Sequence, residues 1–360
     1  MKARYVLLAS AAAGAVALVS ATTAVRSAPE PAAGETITGT WTAEPATWKT
    51  AAGSGPLVQL SLSRRHGLRG SSQHSNPVAL ADLHGLTSEQ MAGESSVVSF
   101  TMDRDAGRFA FEGSFRRGEG AGHFTFTARP EYVAFMRGLG YALDDEKVYS
   151  MATLDVSREF VRQLDALGYS RLDLDQLFSL RIHGADPAFI RELKDLGYER
   201  LAVDDLVSLR IHGATPDFIR QMQSLGYQRL SAEDLVSLRI HGASPEFVRQ
   251  LRELGHERLS VEDLVSMRIH GVSPEFVKEL RSLGYEHVSV EDLVSMRIHG
   301  VSPEFIKELK SLGYDRVPVE DLVSMRIHGV SPEFVRRVQA SRGSISIDRL
   351  VSMRIHGEER

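Results

Sequence analysis

Residues 273–301 read SPEFVKELRSLGYEHVSVEDLVSMRIHGV, and this stretch decides the fold. Ser273 is a natural N-cap and Pro274 suits the first helical position, where a missing N–H costs nothing. Phe276, Val277, Leu280 and Leu283 then fall on one stripe of a helix. Gly284 is placed to stop that helix in the left-handed conformation, with Tyr285 contacting back to Leu280. Ser289 is a second N-cap. Glu291 and Asp292 occupy its first turn, where carboxylates favour the positive helix end, and Asp292 stands at the capping-box position. Val290, Leu293, Val294, Met296 and Ile298 read as a second apolar stripe, closed by Gly300 with Val301 able to contact Met296. Helices of about ten residues are about 15 Å long and too short to stand alone. Stacking on neighbours must supply their core.

The neighbours are copies. The tetrapeptide Arg-Ile-His-Gly recurs seven times, ending at Gly184, Gly213, Gly242, Gly271, Gly300, Gly329 and Gly357, at a spacing of 29 residues until the last interval of 28. Such periodicity predicts a quasi-one-dimensional array in which each unit touches mainly the next. The expected fold is α+β: a small antiparallel β domain, then an α-solenoid of about eight two-helix repeats over 129–357. The first unit, Pro130 to Ser157, keeps Gly140-Tyr141 but reads Ala152-Thr-Leu-Asp155 in place of Arg-Ile-His-Gly, and the last loses a residue near Ala340-Ser-Arg-Gly343. Aberrant end units are what caps should look like. The alternative is a leucine-rich-repeat-like horseshoe, because Leu293-x-x-Met296-x-Ile298 imitates that consensus and would make Ser295–His299 a strand. The Ser-x-Glu-Asp start, the terminal glycine and Pro303 favour helix.

Residues 36–128 alternate with period two. Val58, Leu60 and Leu62 share one side of a strand, as do Val98, Phe100 and Met102, then Phe109, Phe111 and Phe115, then Phe124 and Phe126. Asp103–Gly107 and Gly118–Gly122 separate the last three runs as hairpin turns. A meander with a phenylalanine face follows, joined by strands near Trp41 and Leu60, with Ser63 to Asn76 read as a surface loop. Gly118-x-Gly-x-Gly122 lies between strands, whereas a phosphate-cradling loop opens a helix. Asp103-x-Asp-x-Gly107 has half of a calcium loop and lacks its closing Glu. His66, His74, His84 and His123 show no metal-ligand spacing, so neither a metal nor a cofactor is expected.

At the N-terminus Lys2 and Arg4 precede an apolar run from Tyr5 to about Val19 and small residues through Ala24. This predicts a secretory signal over 1–28, followed by a Pro/Ala-rich linker over 29–35, and export to a bacterial periplasm. An uncleaved N-terminal anchor facing the periplasm is the alternative. The formal charge of −5 offers nucleic acid no basic stripe. The chain contains no cysteine, which excludes disulfides, thiolate zinc sites and cysteine nucleophiles.

Two ladders run along the array as a candidate interaction surface: Arg210, Arg239, Arg268, Arg297 and Arg326, beside His212, His241, His270, His299 and His328. Repeats stack on the order of 9–10 Å apart, too far for equivalent histidines to share a metal. Each histidine is expected to end its helix and favour the negative helix end when charged, with a response to mild acid as the alternative. A second basic row, Arg191, Arg220, Arg249, Lys278, Lys307 and Arg336, and acidic rows such as Asp263 and Asp292 suggest solvated salt-bridge faces or a strip for an acidic or extended partner.

No His-Glu-x-x-His, Gly-x-Ser-x-Gly or phosphate loop is present, and units 5 to 7 are nearly identical, which suits interchangeable scaffold better than a unique active site. The elements Phe109-Ala-Phe111-Glu-Gly113 and Gly120-Ala-Gly-His-Phe124-Thr-Phe126, followed by Arg-Ile-His-Gly-Val-Ser-Pro-Glu-Phe units, resemble the extracytoplasmic C-terminal regions of bacterial membrane metallopeptidases of the β-lactam-sensor antirepressor type. The resemblance covers 36–357. Those proteins carry several membrane spans and a zinc helix that this sequence lacks, so no catalytic residue carries over, and the resemblance implies a sensor or interaction portion. The expectation is a non-catalytic exported scaffold for a protein or peptide partner in the cell envelope, with no nucleic acid and no further membrane span. Two alternatives are a periplasmic sensor of pH or an envelope ligand, and an enzyme with its site at the β–solenoid junction.

Overall fold

A computed structural model of the chain describes residues 36–46, 55–65 and 71–358. The expected signal and linker and His66 lie outside the described residues. The N-terminal unit is a curled, seven-stranded antiparallel sheet in the order β3-β2-β1-β7-β6-β5-β4. Its strands are β1 (Ile37–Pro45), β2 (Leu57–Arg65), β3 (Ser71–Ala79), β4 (Leu83–His84), β5 (Ser96–Arg104), β6 (Gly107–Arg116) and β7 (Glu119–Ala128), with a short helix, α1 (Ser88–Ala92), before β5. Residues 63–76 are a correction to the sequence reading: β2 runs on to Arg65 and β3 pairs with it as an edge strand. The inward positions of β3, Ser72, His74 and Asn76, are polar and only half-buried, so no apolar alternation marks it. Pro77 is tolerated there because an edge strand need not donate on both sides.

One face of the sheet is an aromatic core. Trp41, Phe100, Phe109, Phe111, Phe115, Phe124 and Phe126 are buried. Phe100 stacks on Phe111 at 4.6 Å between centroids, and Trp41 meets Phe100 edge-on at 5.2 Å. The Trp41 indole N–H donates to the Glu112 carbonyl at 3.2 Å. That ring needs Gly113, where a Cβ would lie 2.8 Å from Trp41 and 2.2 Å from the Ala121 carbonyl oxygen. The β6–β7 turn is the pair Arg117-Gly118, both at positive φ, rather than the whole of Gly118–Gly122, whose remaining glycines lie within β7.

Sixteen helices follow among the described residues, from α2 (Pro130–Gly138) and α3 (Asp145–Thr153) to α16 (Pro332–Arg342) and α17 (Ile347–His356). They form eight pairs in register with the sequence period. In the pair α12 (Pro274–Ser282) and α13 (Val290–Ile298), Ser273 and Ser289 each accept from the backbone N–H three residues on. Reciprocal capping boxes form at Ser231/Asp234 and Ser260/Asp263, while Ser289 and Asp292 make one half of the box. Gly284 and Gly300 take φ +95° and +71°. The Tyr285 and Val301 N–H groups reach back to the carbonyls of Leu280 and Met296, which are Schellman closures. Segment 290–298 is helical, which overturns the horseshoe alternative. First helices pack on first helices of adjacent repeats, and second on second.

Leu293 and Met296 are buried as expected, but Ile298 is not: it is 56% exposed. The same holds at every equivalent isoleucine. Ile298 follows Met296 by two residues, about 200° around the helix, so both cannot face one core.

Sheet and array share a core. Tyr149 of α3 is fully buried among the sheet's aromatics, parallel to Phe124 at 6.1 Å and edge-on to Phe126 at 5.6 Å. Arg64 lies 4.8 Å over the Tyr149 ring and pairs with Glu146 at 2.6 Å. Asp105, in the β5–β6 turn, accepts from the Arg158 guanidinium at 2.7 Å and from its backbone N–H at 2.7 Å, at the start of α4 (Arg158–Ala166). That arginine holds the Asp105 carboxyl below the usual carboxylate range. Asp103 is likewise held by Arg108 and Arg129, so both carboxylates of the half calcium loop serve the fold.

Candidate interaction surface

The arginine ladder is built into the stack. Arg297 sits near the end of α13, and its guanidinium lies 5.1 Å over the Phe276 ring of α12. Arg210, Arg239, Arg268 and Arg326 stand likewise over Phe189, Phe218, Phe247 and Phe305, at 4.9–5.1 Å. Each also reaches back one repeat. The Arg239 and Arg268 Nε–H groups donate to the carbonyls of His212 and His241 at 3.4 and 3.3 Å. The Arg-Ile-His-Gly glycine is favoured by its positive φ, and a Cβ on Gly300 would also lie 3.0 Å from the Arg326 guanidinium and press on its seat. A guanidinium stacked on a ring and bonded to helix-end carbonyls ties three helices together.

The histidines occupy the C-caps of the second helices, with His212, His299 and His328 exposed and His241 and His270 half-buried. The His212 and His241 carbonyls receive the next arginine, whereas Arg354 donates to the Gly329 carbonyl instead. The isoleucine between each Arg and His points outward: Ile182, Ile211, Ile240, Ile269, Ile298, Ile327 and Ile355 are 54–61% exposed. On the same helix face lie half-buried valines such as Val265, Val294 and Val323, one turn before the isoleucine. Sequence reasoning missed this row by crediting Ile298 to the core; helical geometry alone could have flagged it.

The two outer faces treat charge differently. On the first helices, Arg220–Glu192 at 2.9 Å, Lys307–Glu279 at 3.6 Å and Arg336–Glu308 at 3.0 Å join successive repeats. On the second helices, Glu233, Glu262, Glu291 and Glu320 form an exposed acidic row in the first turn, and Arg239, Arg268, Arg297 and Arg326 a basic row in the last. Among the described residues none of these eight side chains has an ion-pair partner. Along each second helix the isoleucine directly follows the arginine, seven residues past the glutamate, and stands at the basic end.

A third ladder is internal. The hydroxyls of Tyr169, Tyr227 and Tyr285 donate to the carbonyls of Leu201, Leu259 and Val317 in the following repeat at 2.7–2.9 Å. Repeat 5 has His256 at this position, half-buried, with burial and then nearby Arg281 lowering its pKa below 6.5. The fold therefore favours neutral imidazole. This contribution to stability is complete above about pH 6.5 and is lost as pH falls and the unfolded chain takes up the proton. His74, lowered by burial, acts with the same sign. His256→Tyr should add about 1 kcal/mol at neutral pH through a bond to the Val288 carbonyl. It should also reduce, without abolishing, the fall in melting temperature between about pH 6.5 and 5. Thermal melts across that range check both effects.

At the junction, a cavity of about 340 Å³ is lined by Leu60, Leu62, His74, Met102, Arg104 and Asp155, among others. Asp155 stands where other repeats hold glycine, at φ +53°, and pairs with Arg181 at 2.8 Å and Arg104 at 4.0 Å. These charged groups face one another and fasten sheet to array. Among the described residues no helix is long and apolar enough to cross a membrane. Comparison with protein-family models finds no match, and comparison with curated proteins finds none either.

Proposed function

We propose that the chain is an exported, non-catalytic scaffold that engages a protein partner in the cell envelope along the outer edge of its second helices. The supporting observation is the exposure of isoleucine at one position in seven repeats. A soluble surface rarely carries so long an apolar row unless something covers it. Residues one turn earlier vary between units (Leu-Phe-Ser-Leu before Arg181, Leu-Val-Ser-Met before Arg297), while the isoleucine recurs in all seven together with its flanking arginine and histidine. The arginines serve this edge indirectly, by fixing each second helix against its neighbours so that the isoleucines stand in line. The flanking acidic and basic rows would set the partner's orientation.

Replacing Ile298 with a photo-cross-linking residue tests this in intact envelopes. A discrete protein adduct is expected, much weaker from a cross-linker at Glu333 on a first helix. Ile269→Ser with Ile327→Ser should suppress it. Equal labelling from both positions would remove the proposal.

A further inference from the structure

We infer that the partner covering the isoleucine edge is a second copy of this chain; this rests on the scaffold reading above. Three features of the edge point the same way. The first is pitch. Rungs recur once per repeat, and a second copy carries an apolar row of identical pitch, so contact at one rung brings the neighbouring rungs into register. An extended strand repeats its side chains about every 6.8 Å on one face and drifts out of step with helices packed about 8–10 Å apart.

The second is area. Each isoleucine, more than half exposed, offers on the order of 100 Å². The seven together approach the ~800 Å² per partner of a standard specific interface. Val265, Val294 and Val323 extend the strip on its acidic side.

The third is charge. The edge is acidic toward one end of its helices, through Glu233, Glu262, Glu291 and Glu320, and basic toward the other, through Arg239, Arg268, Arg297 and Arg326, and among the described residues none of these has an ion-pair partner. A two-fold axis along the valine–isoleucine strip, midway between the two charged rows, turns the second copy's helices to the opposite direction. The acidic flank of each copy then faces the basic flank of the other. An isologous contact of this kind closes on itself and does not propagate into filaments.

Sedimentation of the purified protein across about 1–100 µM should show a dimer whose dissociation constant lies within that range or below it. Ile269→Ser/Ile298→Ser/Ile327→Ser should weaken association about 100-fold or more with unchanged helical circular dichroism, since these side chains are exposed. Glu262→Lys/Glu291→Lys/Glu320→Lys, which leaves the isoleucines intact, should weaken it about tenfold at low salt, and the difference should shrink at about 1 M salt. A monomer throughout the range, or a dimer indifferent to both triple variants, would overturn the inference. If the protein is monomeric while position 298 still cross-links another envelope protein, self-association alone falls. If position 298 cross-links nothing, the scaffold reading falls with it.

Discussion

Tyr149→Ala is expected to remove about 3–5 kcal/mol, the range for truncating a buried aromatic, and to separate the sheet from the array. Tyr149 is 2% exposed and touches Phe109, Phe124 and Phe126 across the junction. The alanine variant leaves a void among those rings and strips Arg64 of its aromatic seat. Array stability comes from nearest-neighbour terms, so damage at one end should not spread evenly. In a Trp48→Phe background, denaturation followed by fluorescence of the remaining, buried Trp41 should move to lower denaturant than the helical signal. Tyr149→Phe, which keeps the ring, should stay within about 1 kcal/mol of the parent. Coincident, unshifted transitions in the alanine variant would show that sheet and array do not share a core.

The second large effect is expected in mid-array. Phe276→Ala should cost about 3–5 kcal/mol, because the ring is buried within its repeat and also carries the Arg297 guanidinium. Two repeats remain beyond it, fewer than the three or so a stack needs to hold together. Hydrogen exchange should therefore show protection lost from about residue 274 to the C-terminus, with the sheet and first repeats retained. Arg297→Ala should cost about 1 kcal/mol. Combined with Phe276→Ala it should add less than that, since the alanine has already removed the ring under the guanidinium. Strict additivity would mean that the stacked geometry contributes nothing.

The helical repeat was legible in the sequence because its signals are local. Ser273-Pro274, Gly284-Tyr285 and Ser289 each act within a few residues, and each forms the cap its chemistry predicts. The phenylalanine face of β6 and β7 was legible for the same reason. What escaped depends on contacts distant in sequence. β3 turns His74 and Asn76 toward the array, where the Asn76 amide donates to the Thr153 carbonyl, so its inward face carries no apolar pattern. The arginine ladder looked free because its partners, a ring in the preceding helix and a carbonyl a full repeat earlier, show no charge to complement it. Ile298 looked buried because its hydrophobicity was weighed without its azimuth.

Every inter-repeat fastening described above reaches forward or back by a single unit, whether it is the tyrosine hydroxyl, the arginine or the first-helix salt bridge. A recombination event that duplicates or excises one of the nearly identical inner units, such as 273–301 or 302–330, would leave joints of the same chemistry on either side. Gene length thus becomes a stepwise dial on the molecule's reach, one that evolution can turn without redesigning a single contact.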